Sequence, residues 1–189
     1  MEIERYPWGG DFTVCSIEGC VAVVLLTIKY TPPDNVAIYG PLKTENIGVE
    51  KIVANVISNP HIRYLVICGD DIRGHRSGTS LVALYKNGIN KQHKIIQAMG
   101  AIPYIENLKE EAIERFRDQV EIVNLIGIKD NDKIDEVINE YTAKSPPCFG
   151  EPYIAIRIKP DANVSLDDKR ALHSKIVVNY MGKVIKRGK

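Results

Sequence analysis

The sequence predicts an α/β fold in which helices cover both faces of a parallel β-sheet. Short apolar segments typical of buried strands recur along the chain, and amphipathic patterns typical of helices lie between them. Because strands that alternate with helices are joined by crossover connections, we expect parallel strands and right-handed crossovers. A chain of 189 residues suits one domain, predicted over 1–158, followed by a small basic extension over 159–189.

The first part of the chain is expected to form a central strand and one edge of the sheet. Residues 6–12 are turn-rich and aromatic, which is typical of a hairpin or a lid over one edge. The continuous apolar run 20–26 predicts a central strand, 31–35 a loop, and 37–41 a weak strand.

A helix is predicted directly after residues 43–48. Thr44 or Asn46 can serve as its N-cap, and Ser-Asn-Pro at 58–60 ends it. Its apolar positions follow the spacing of one buried stripe, formed by Val49, Ile52, Val53, Val56 and Ile57.

The next strand and helix enclose a glycine-rich loop. Residues 64–68 are apolar, β-branched and aromatic, which predicts a buried strand that ends at Gly69. A helix is predicted over 79–85, with Ser77 or Thr79 as its N-cap.

The remaining segments continue the alternation of strands and helices. Strands are predicted at 94–98, 120–126 and 153–158, and helices are expected to open at 107–109 and to span 131–143. A loop is predicted over 100–107. The extension is expected to contain a short helix at 166–173 and a hairpin that pairs 176–178 with 183–185.

Composition excludes several classes of function. The net charge of +1 gives no electrostatic case for binding nucleic acid. No apolar run approaches the ~18 residues that a membrane-spanning helix needs, and the first residues lack the features of a signal peptide. We therefore expect a cytoplasmic protein with no transmembrane segment, whose four cysteines are reduced.

His75 is the candidate functional residue, because it lies on a loop that follows a buried strand. Ligands bind at the carboxyl ends of strands in open α/β sheets. The sequence lacks the Gly-x-Gly-x-x-Gly spacing of dinucleotide sites, the Gly-Lys-Ser/Thr of phosphate loops and the Gly-x-Ser-x-Gly nucleophile motif. The four histidines are too scattered for a zinc site.

The surroundings of His75 suit a metal that brings most of its own ligands. Gly74 and Gly78 allow a flat group to approach the backbone closely. An imidazole is a good ligand for a transition metal, and Asp70 or Asp71 could orient its ring. A single protein ligand fits a metal inside a tetrapyrrole-type macrocycle. The simpler alternative is that His75 is a surface residue and that both aspartates are solvated.

Five strings occur in the order found in one protein family. They are Gly-Pro-Leu-Lys-Thr-Glu-Asn-Ile-Gly at 40–48, Ala-Asn-Val-Ile-Ser-Asn-Pro at 54–60, Cys-Gly at 68–69 with Gly-His at 74–75, Ala-Leu at 83–84 with Asn-Gly at 87–88, and Gly-Ala-Ile-Pro-Tyr-Ile-Glu-Asn at 100–107. The sequence thereby resembles the corrinoid-binding A subunit of tetrahydromethanopterin S-methyltransferase over roughly residues 6–158.

The resemblance implies a Rossmann-like fold that carries a cobalamin-type corrinoid, with His75 as catalytic residue and lower axial ligand to cobalt. It implies methyl transfer from methyl-tetrahydromethanopterin to coenzyme M, a step of methanogenesis, together with other subunits of a membrane complex. The implied cofactor-binding residues, in addition to His75, are Lys43, Thr44, Glu45, Asn46, Gly69, Asp71, Gly74, Ser77, Gly78, Thr79, Gly100, Ala101, Ile102, Pro103 and Tyr104. For residues 43–46, helix capping is the alternative role.

Two features depart from the resemblance. Arg73 stands where the corrinoid motif Asp-x-His-x-x-Gly has its acid, and Asp71 lies four residues before His75, so any carboxylate that orients the imidazole must reach it by a different path. The basic extension stands where family members carry a membrane anchor. We expect a truncated chain, an unanchored paralogue or a fusion remnant. The alternative functions are a non-catalytic or regulatory paralogue that docks on another protein, and an unrelated enzyme that uses Asp70 or Asp71 as acid or base.

Overall fold

The computed structural model describes residues 5–156 and the backbone of two short strands beyond them. Its elements are β1 (Thr13–Val14), β2 (Val21–Leu25), β3 (Ile38–Pro41), α1 (Ile47–Ser58), β4 (Tyr64–Gly69), α2 (Ser77–Asn87), α3 (Glu110–Gln119), β5 (Glu121–Ile126), α4 (Asn131–Ala143), β6 (Ile176–Val178) and β7 (Val184–Lys186). No helix among the described residues is long and apolar enough to cross a bilayer.

The main sheet has five strands in the order β1-β3-β2-β4-β5. Strands β2 to β5 pair in parallel, and only the two-residue β1 pairs antiparallel, on the outer side of β3. The predicted α/β Rossmann-like fold is therefore confirmed. β6 and β7 pair antiparallel in a separate two-stranded sheet, close to the predicted pairing, whereas the helix expected at 166–173 lies outside the described residues.

Helices cover both faces of the sheet, as the sequence predicts. In β2, Ala22 and Val24 face the cluster formed by α1, α2 and α3, and Val21, Val23 and Leu25 face the cluster that contains α4. All five of these residues are buried, because a central parallel strand is covered on both sides.

His75 lies at the point where the connections of neighbouring strands diverge. The connection after β2 packs with α4, through Tyr30 and Val36. The connection after β4 leads to α2 on the opposite face, among the residues that surround Leu81 and Leu84. Such a divergence opens a crevice at the carboxyl edge of the sheet, which is where open α/β folds bind ligands.

Two predicted strands are wrong. Residues 94–98 form only isolated bridges, Ile89 with Ile95 and Lys94 with Tyr104. Gln97 has a φ of 63°, which ends any extended run, and Ile95 alone among these residues is buried. Residues 153–156 form no strand because they run along α1, where Tyr153 N donates to Ile57 O at 3.0 Å. The rest of that prediction lies outside the described residues.

Gln119 joins the end of α3 to the end of α1. Its side chain is 1% exposed, and Nε2 lies within 3.1 Å of the carbonyl oxygens of Val56, Asn59 and Ile62. The carbonyls at a helix end lack partners within the helix, so a buried amide that donates to them stabilises the turn after α1.

Replacing Gln119 by leucine should lower the free energy of unfolding by about 1–3 kcal/mol, because buried carbonyl oxygens lose a donor. Urea denaturation followed by circular dichroism measures the change. Gln92→Leu, at an exposed position, is the matched control and should change stability little. Equal midpoints for the two variants would contradict a role for the buried amide.

Candidate functional site

His75 and Glu45 form an ion-pair-like contact at the carboxyl edge of the sheet. His75 Nδ1 lies 2.8 Å from Glu45 Oε2. The Glu45 side chain is only 2% exposed, whereas that of His75 is 53% exposed. A carboxylate at this distance accepts a hydrogen bond from Nδ1–H, and in the neutral imidazole this leaves the lone pair on Nε2. Nε2 has no hydrogen-bond partner within the described part of the chain.

The Glu45 carboxylate is fixed from two sides. Its second oxygen, Oε1, accepts from the backbone N–H of Ile102 at 2.8 Å. Glu45 belongs to the short connection between β3 and α1, while Ile102 belongs to the connection between α2 and α3. The carboxylate therefore joins three segments and holds the imidazole in one orientation.

The capping alternative applies to the neighbours of Glu45 and not to Glu45 itself. Thr44 Oγ1 accepts from Gly48 N at 2.9 Å, and Asn46 Oδ1 accepts from Ile47 N at 2.7 Å. Both predicted caps of α1 are thus present. Their side chains are engaged by the helix, which leaves the buried side chain of Glu45 to hold His75.

Gly100 allows the three segments to approach each other. A Cβ atom at this position would lie 2.4 Å from the backbone oxygen of His75 and 2.8 Å from Glu45 Cγ. It would also lie 3.0 Å from Ser80 Oγ, a buried hydroxyl that has no hydrogen-bond partner among the described residues. No sequence pattern singled out Ser80, because a serine inside a helix carries no signal of its own.

Asp71 stabilises the start of α2, which corrects the predicted N-cap. The residue at the cap position is Arg76, with a left-handed φ of 46° and no capping side chain. Ser77 and Thr79, the predicted caps, lie inside the helix. Asp71 instead accepts from Gly78 N, Thr79 N and Thr79 Oγ1, each at 2.9 Å.

The acids near His75 thus have structural partners. Asp71 does not contact the imidazole, and Asp70 pairs with Lys129 at 2.7 Å. The sequence placed these two acids beside His75, but the orienting carboxylate comes from residue 45, thirty positions earlier. A spacing of that length shows no pattern, so only the fold brings the two residues together.

The other predicted site residues divide between the crevice and the scaffold. Gly74, with a φ of 83°, has open space around it, and Ala101 is exposed. The remaining residues have contacts within the scaffold. Lys43 pairs with Asp11, Gly69 packs against Ile28, and Gly78 packs against Leu26. Ser77 is buried, and Pro103 and Tyr104 pair with residues 95 and 94, respectively.

Glu50 holds the far end of the connection between α2 and α3. It is fully buried in the first turn of α1, and its two oxygens accept from Asn107 N and Asn107 Nδ2, each at 2.6 Å. Burial raises the pKa of Glu50 to about 7 because the charged carboxylate is desolvated. Glu45 and Glu50 together attach residues 102 and 107 to the amino end of α1.

The described residues contain no group of three or more histidine, cysteine, aspartate or glutamate side chains that could hold a metal ion. One exposed nitrogen on an oriented imidazole is therefore the ligand that this site offers. Such a site suits a metal that is already coordinated by another molecule.

Comparison with known proteins identifies close relatives over most of the chain. A family model that describes the A subunit of tetrahydromethanopterin S-methyltransferase matches residues 3–165. The sequence is 46% identical to form 1 of that subunit from Methanothermobacter thermautotrophicus over 154 residues, which are 79% of this chain and 65% of the relative. It is 42% identical to the corresponding subunit from Methanosarcina acetivorans over 156 residues, 80% of this chain and again 65% of the relative.

A third relative has a length closer to that of this chain. Form 2 of the same subunit from Methanothermobacter marburgensis is 42% identical over 164 residues, which cover 85% of this chain and 89% of the relative. The chain thus spans about 65% of the first two relatives and most of the third.

Substituting Gly100 by alanine should lower the free energy of unfolding by about 1–3 kcal/mol, because the added methyl group overlaps the His75 carbonyl. Thermal unfolding measures the loss, and the NMR signals of the His75 ring report its displacement. Gly9→Ala, where a Cβ meets nothing within 4 Å, is the control. Unchanged ring signals in Gly100→Ala would contradict the close approach.

Glu50 should make the protein less stable as the pH rises from about 4.5 to about 7. Its pKa is 4.5 when unfolded and about 7 when folded, so the native state binds more protons across this range. The free energy of unfolding should therefore fall by roughly 1–3 kcal/mol as the pH rises through this range. In Glu50→Gln this contribution is absent.

Urea unfolding at half-unit steps between pH 4.5 and 7.5 tests the Glu50 effect. The difference in unfolding free energy between wild type and Glu50→Gln should shrink or change sign as the pH rises. Glu136→Gln, an exposed position on α4, should run parallel to the wild type. If the unfolding free energies of wild type and Glu50→Gln change with pH in parallel, the effect is ruled out.

Proposed function

Because this chain belongs to the family of tetrahydromethanopterin S-methyltransferase A subunits, we propose that it carries a cobalamin-type corrinoid, with His75 as the lower axial ligand to cobalt. The methyl group would pass from methyl-tetrahydromethanopterin to coenzyme M, with other subunits of a methyltransferase complex as partners. The observation that supports this most directly is the buried Glu45 carboxylate, which turns an exposed imidazole nitrogen outward.

The residues present fit a corrinoid. Metal-bound histidines usually donate their other ring N–H to a carboxylate or a carbonyl, as His75 does to Glu45. A Cβ placed on Gly74 would meet no atom within 4 Å, so a flat ring can approach the backbone there. His75 would hold the cobalt, while Gly74 and the segment around Ala101 would face the ring.

The corrinoid, when bound, supplies a cobalt centre that accepts and donates a methyl group. This chain contributes position and proton control. Glu45 keeps the proton on Nδ1 and the lone pair on Nε2, and the N–H of Ile102 keeps the carboxylate from turning away.

A cobinamide titration tests the assignment directly, since this corrinoid lacks its own lower base. Purified protein should shift the visible spectrum of cobinamide, and the shift should be lost in His75→Ala. Electron paramagnetic resonance of the cobalt(II) form should show one nitrogen splitting that changes when the histidines carry ¹⁵N. His61→Ala is the matched control and should behave as wild type.

Glu45→Gln should bind cobinamide about 10–100-fold more weakly, because the amide lacks the charge that strengthens and orients the imidazole. Its fold is checked by circular dichroism. A spectrum that does not change on mixing, with all cobinamide recovered free after gel filtration, would overturn the proposed function. A His75→Ala variant with the wild-type spectrum would overturn the assigned ligand.

A further inference from the structure

The stretch that contains His75, α2 and the connection after it differs in charge from the rest of the chain. The whole chain has 25 basic and 24 acidic residues, so the two signs nearly balance. Between residues 72 and 105, by contrast, the sequence contains no aspartate or glutamate. The basic residues of this stretch are all exposed, and none has an ion-pair partner within the described part of the chain: Arg73, Arg76, Lys86, Lys91 and Lys94.

Contacts with the connection place these residues along one side of α2. Ile96 N donates to Gly88 O at 3.1 Å, at the carboxyl end of the helix. At the amino end, Arg76 Nη1 lies 3.7 Å from Met99 Sδ. Residues 96–99 therefore run back along α2, whose 11 residues span about 16 Å. The two arginines lie before the helix, and the three lysines lie at its carboxyl end or shortly after it. Together with Ile96 and Met99 they form a surface that we call the basic strip.

Two exposed apolar side chains lie within the basic strip. Ile96 is 38% exposed and Met99 is 67% exposed, and they are half of the exposed large apolar residues in the described part of the chain. Methionine and arginine are both enriched in protein–protein interfaces, and arginine is frequent among the residues that contribute most to binding. Exposed apolar side chains among unpaired cations are therefore typical of a surface that binds another protein.

The backbone of the basic strip is strained at three positions. Arg76, His93 and Gln97 have φ angles of 46°, 61° and 63°. They are three of the five non-glycine residues with a positive φ among those that the structure describes. Such conformations cost free energy and cluster at functional sites. Their concentration here supports a functional role for the strip.

The basic strip borders the crevice of the proposed cofactor. Arg76 follows His75 directly, and Gly100, which follows Met99, lies so close that its Cβ would be 2.4 Å from the His75 carbonyl oxygen. If His75 binds the lower face of the cobalt, the methyl group is exchanged on the opposite face. A protein that reaches that face also meets the margin of the crevice, where the strip lies.

We propose that the basic strip binds the partner protein that exchanges the methyl group with the corrinoid, through a partner surface that has an apolar centre and acidic residues around it. This inference rests on the proposed function, because only a corrinoid at His75 requires such a partner. Separate cations along about 16 Å suit a protein surface better than one small anion. Ile96 and Met99 favour a protein over a nucleic acid, whose phosphates attract cations and need no apolar contact.

Binding to the other subunits of the methyltransferase from the same source organism tests this surface. The full chain is immobilised with and without bound cobalamin, and biolayer interferometry records association and dissociation at about 50 and about 200 mM NaCl. Because the strip attracts an acidic surface, the association rate constant should fall as the salt concentration rises. At low salt, Arg73→Gln/Arg76→Gln should reduce this constant roughly three- to tenfold. Lys133→Gln/Lys144→Gln, which removes two exposed cations at α4, should preserve it.

Met99→Gln tests the apolar part of the basic strip. The variant should raise the dissociation rate constant by roughly 5–30-fold, because an apolar contact at the centre of the interface is lost. Ile17→Gln, at a position that is 51% exposed outside the strip, is the control and should leave this constant unchanged. Circular dichroism verifies that all variants are folded, and their affinity for cobalamin should equal that of the wild type.

Several results would overturn the proposal. One is partner binding that neither strip variant weakens, and another is a fall in cobalamin affinity in these variants, which would assign the strip to the cofactor site. A wild-type dimer in light scattering that dissociates in Arg73→Gln/Arg76→Gln would identify a second copy of this chain as the occupant. Saturable binding of a mixed-sequence RNA that the same variant abolishes would identify a nucleic acid.

The two proposals of this chain fail in different ways. If the chain binds cobalamin but none of the other subunits, the basic strip is not a docking surface, and the proposed function stands. If the other subunits bind in a strip-dependent way to a chain that retains no corrinoid, the proposed function is overturned, and the strip remains an interface without a role in methyl exchange.

Discussion

The site depends on one buried carboxylate. Glu45 accepts from His75 Nδ1 with one oxygen and from Ile102 N with the other. A carboxylate without hydrogen-bond donors would be costly at 2% exposure, so the two donors are a condition for keeping it there. The same contacts attach the loop after β4 and the connection after α2 to the entrance of α1. The contacts that orient the imidazole are therefore the same contacts that attach these two connections to α1.

The connection from α2 to α3 has no helix or strand of its own, yet it is well fixed. Glu45 holds Ile102 and Glu50 holds Asn107, and both contacts span the same separation of 57 residues. Long connections without regular structure are usually either functional or disordered. This one gains order from two acids at one helix end, where the helix dipole favours negative charge. The apolar composition of 94–98, which suggests a strand, serves instead to anchor the connection through Ile95.

The sequence allowed the scaffold to be predicted more fully than the site. The stripe of α1 and the buried strand at 64–68 follow from local periodicity, and the structure contains both. His75 could be selected because glycines and a strand end precede it. Its partner could not, since Glu45 lies on another connection and nearer acids offered a simpler choice. Asp71 shows the same limit, because a helix cap supplied from seven residues away leaves no cap signature at the helix start.

The attachment of Asp71 to Gly78 and Thr79 has a mechanical consequence for His75. The loop 71–79 is closed at its ends by hydrogen bonds from Gly78 N and Thr79 N to the Asp71 carboxylate. A second hydrogen bond, from Arg76 N to Ile72 O, crosses its middle. His75 lies on that loop. A translation of its backbone must either stretch these hydrogen bonds or move the first turn of α2 with it. A force on the His75 imidazole is thus transmitted to α2, because the loop that carries His75 is hydrogen-bonded to the start of that helix.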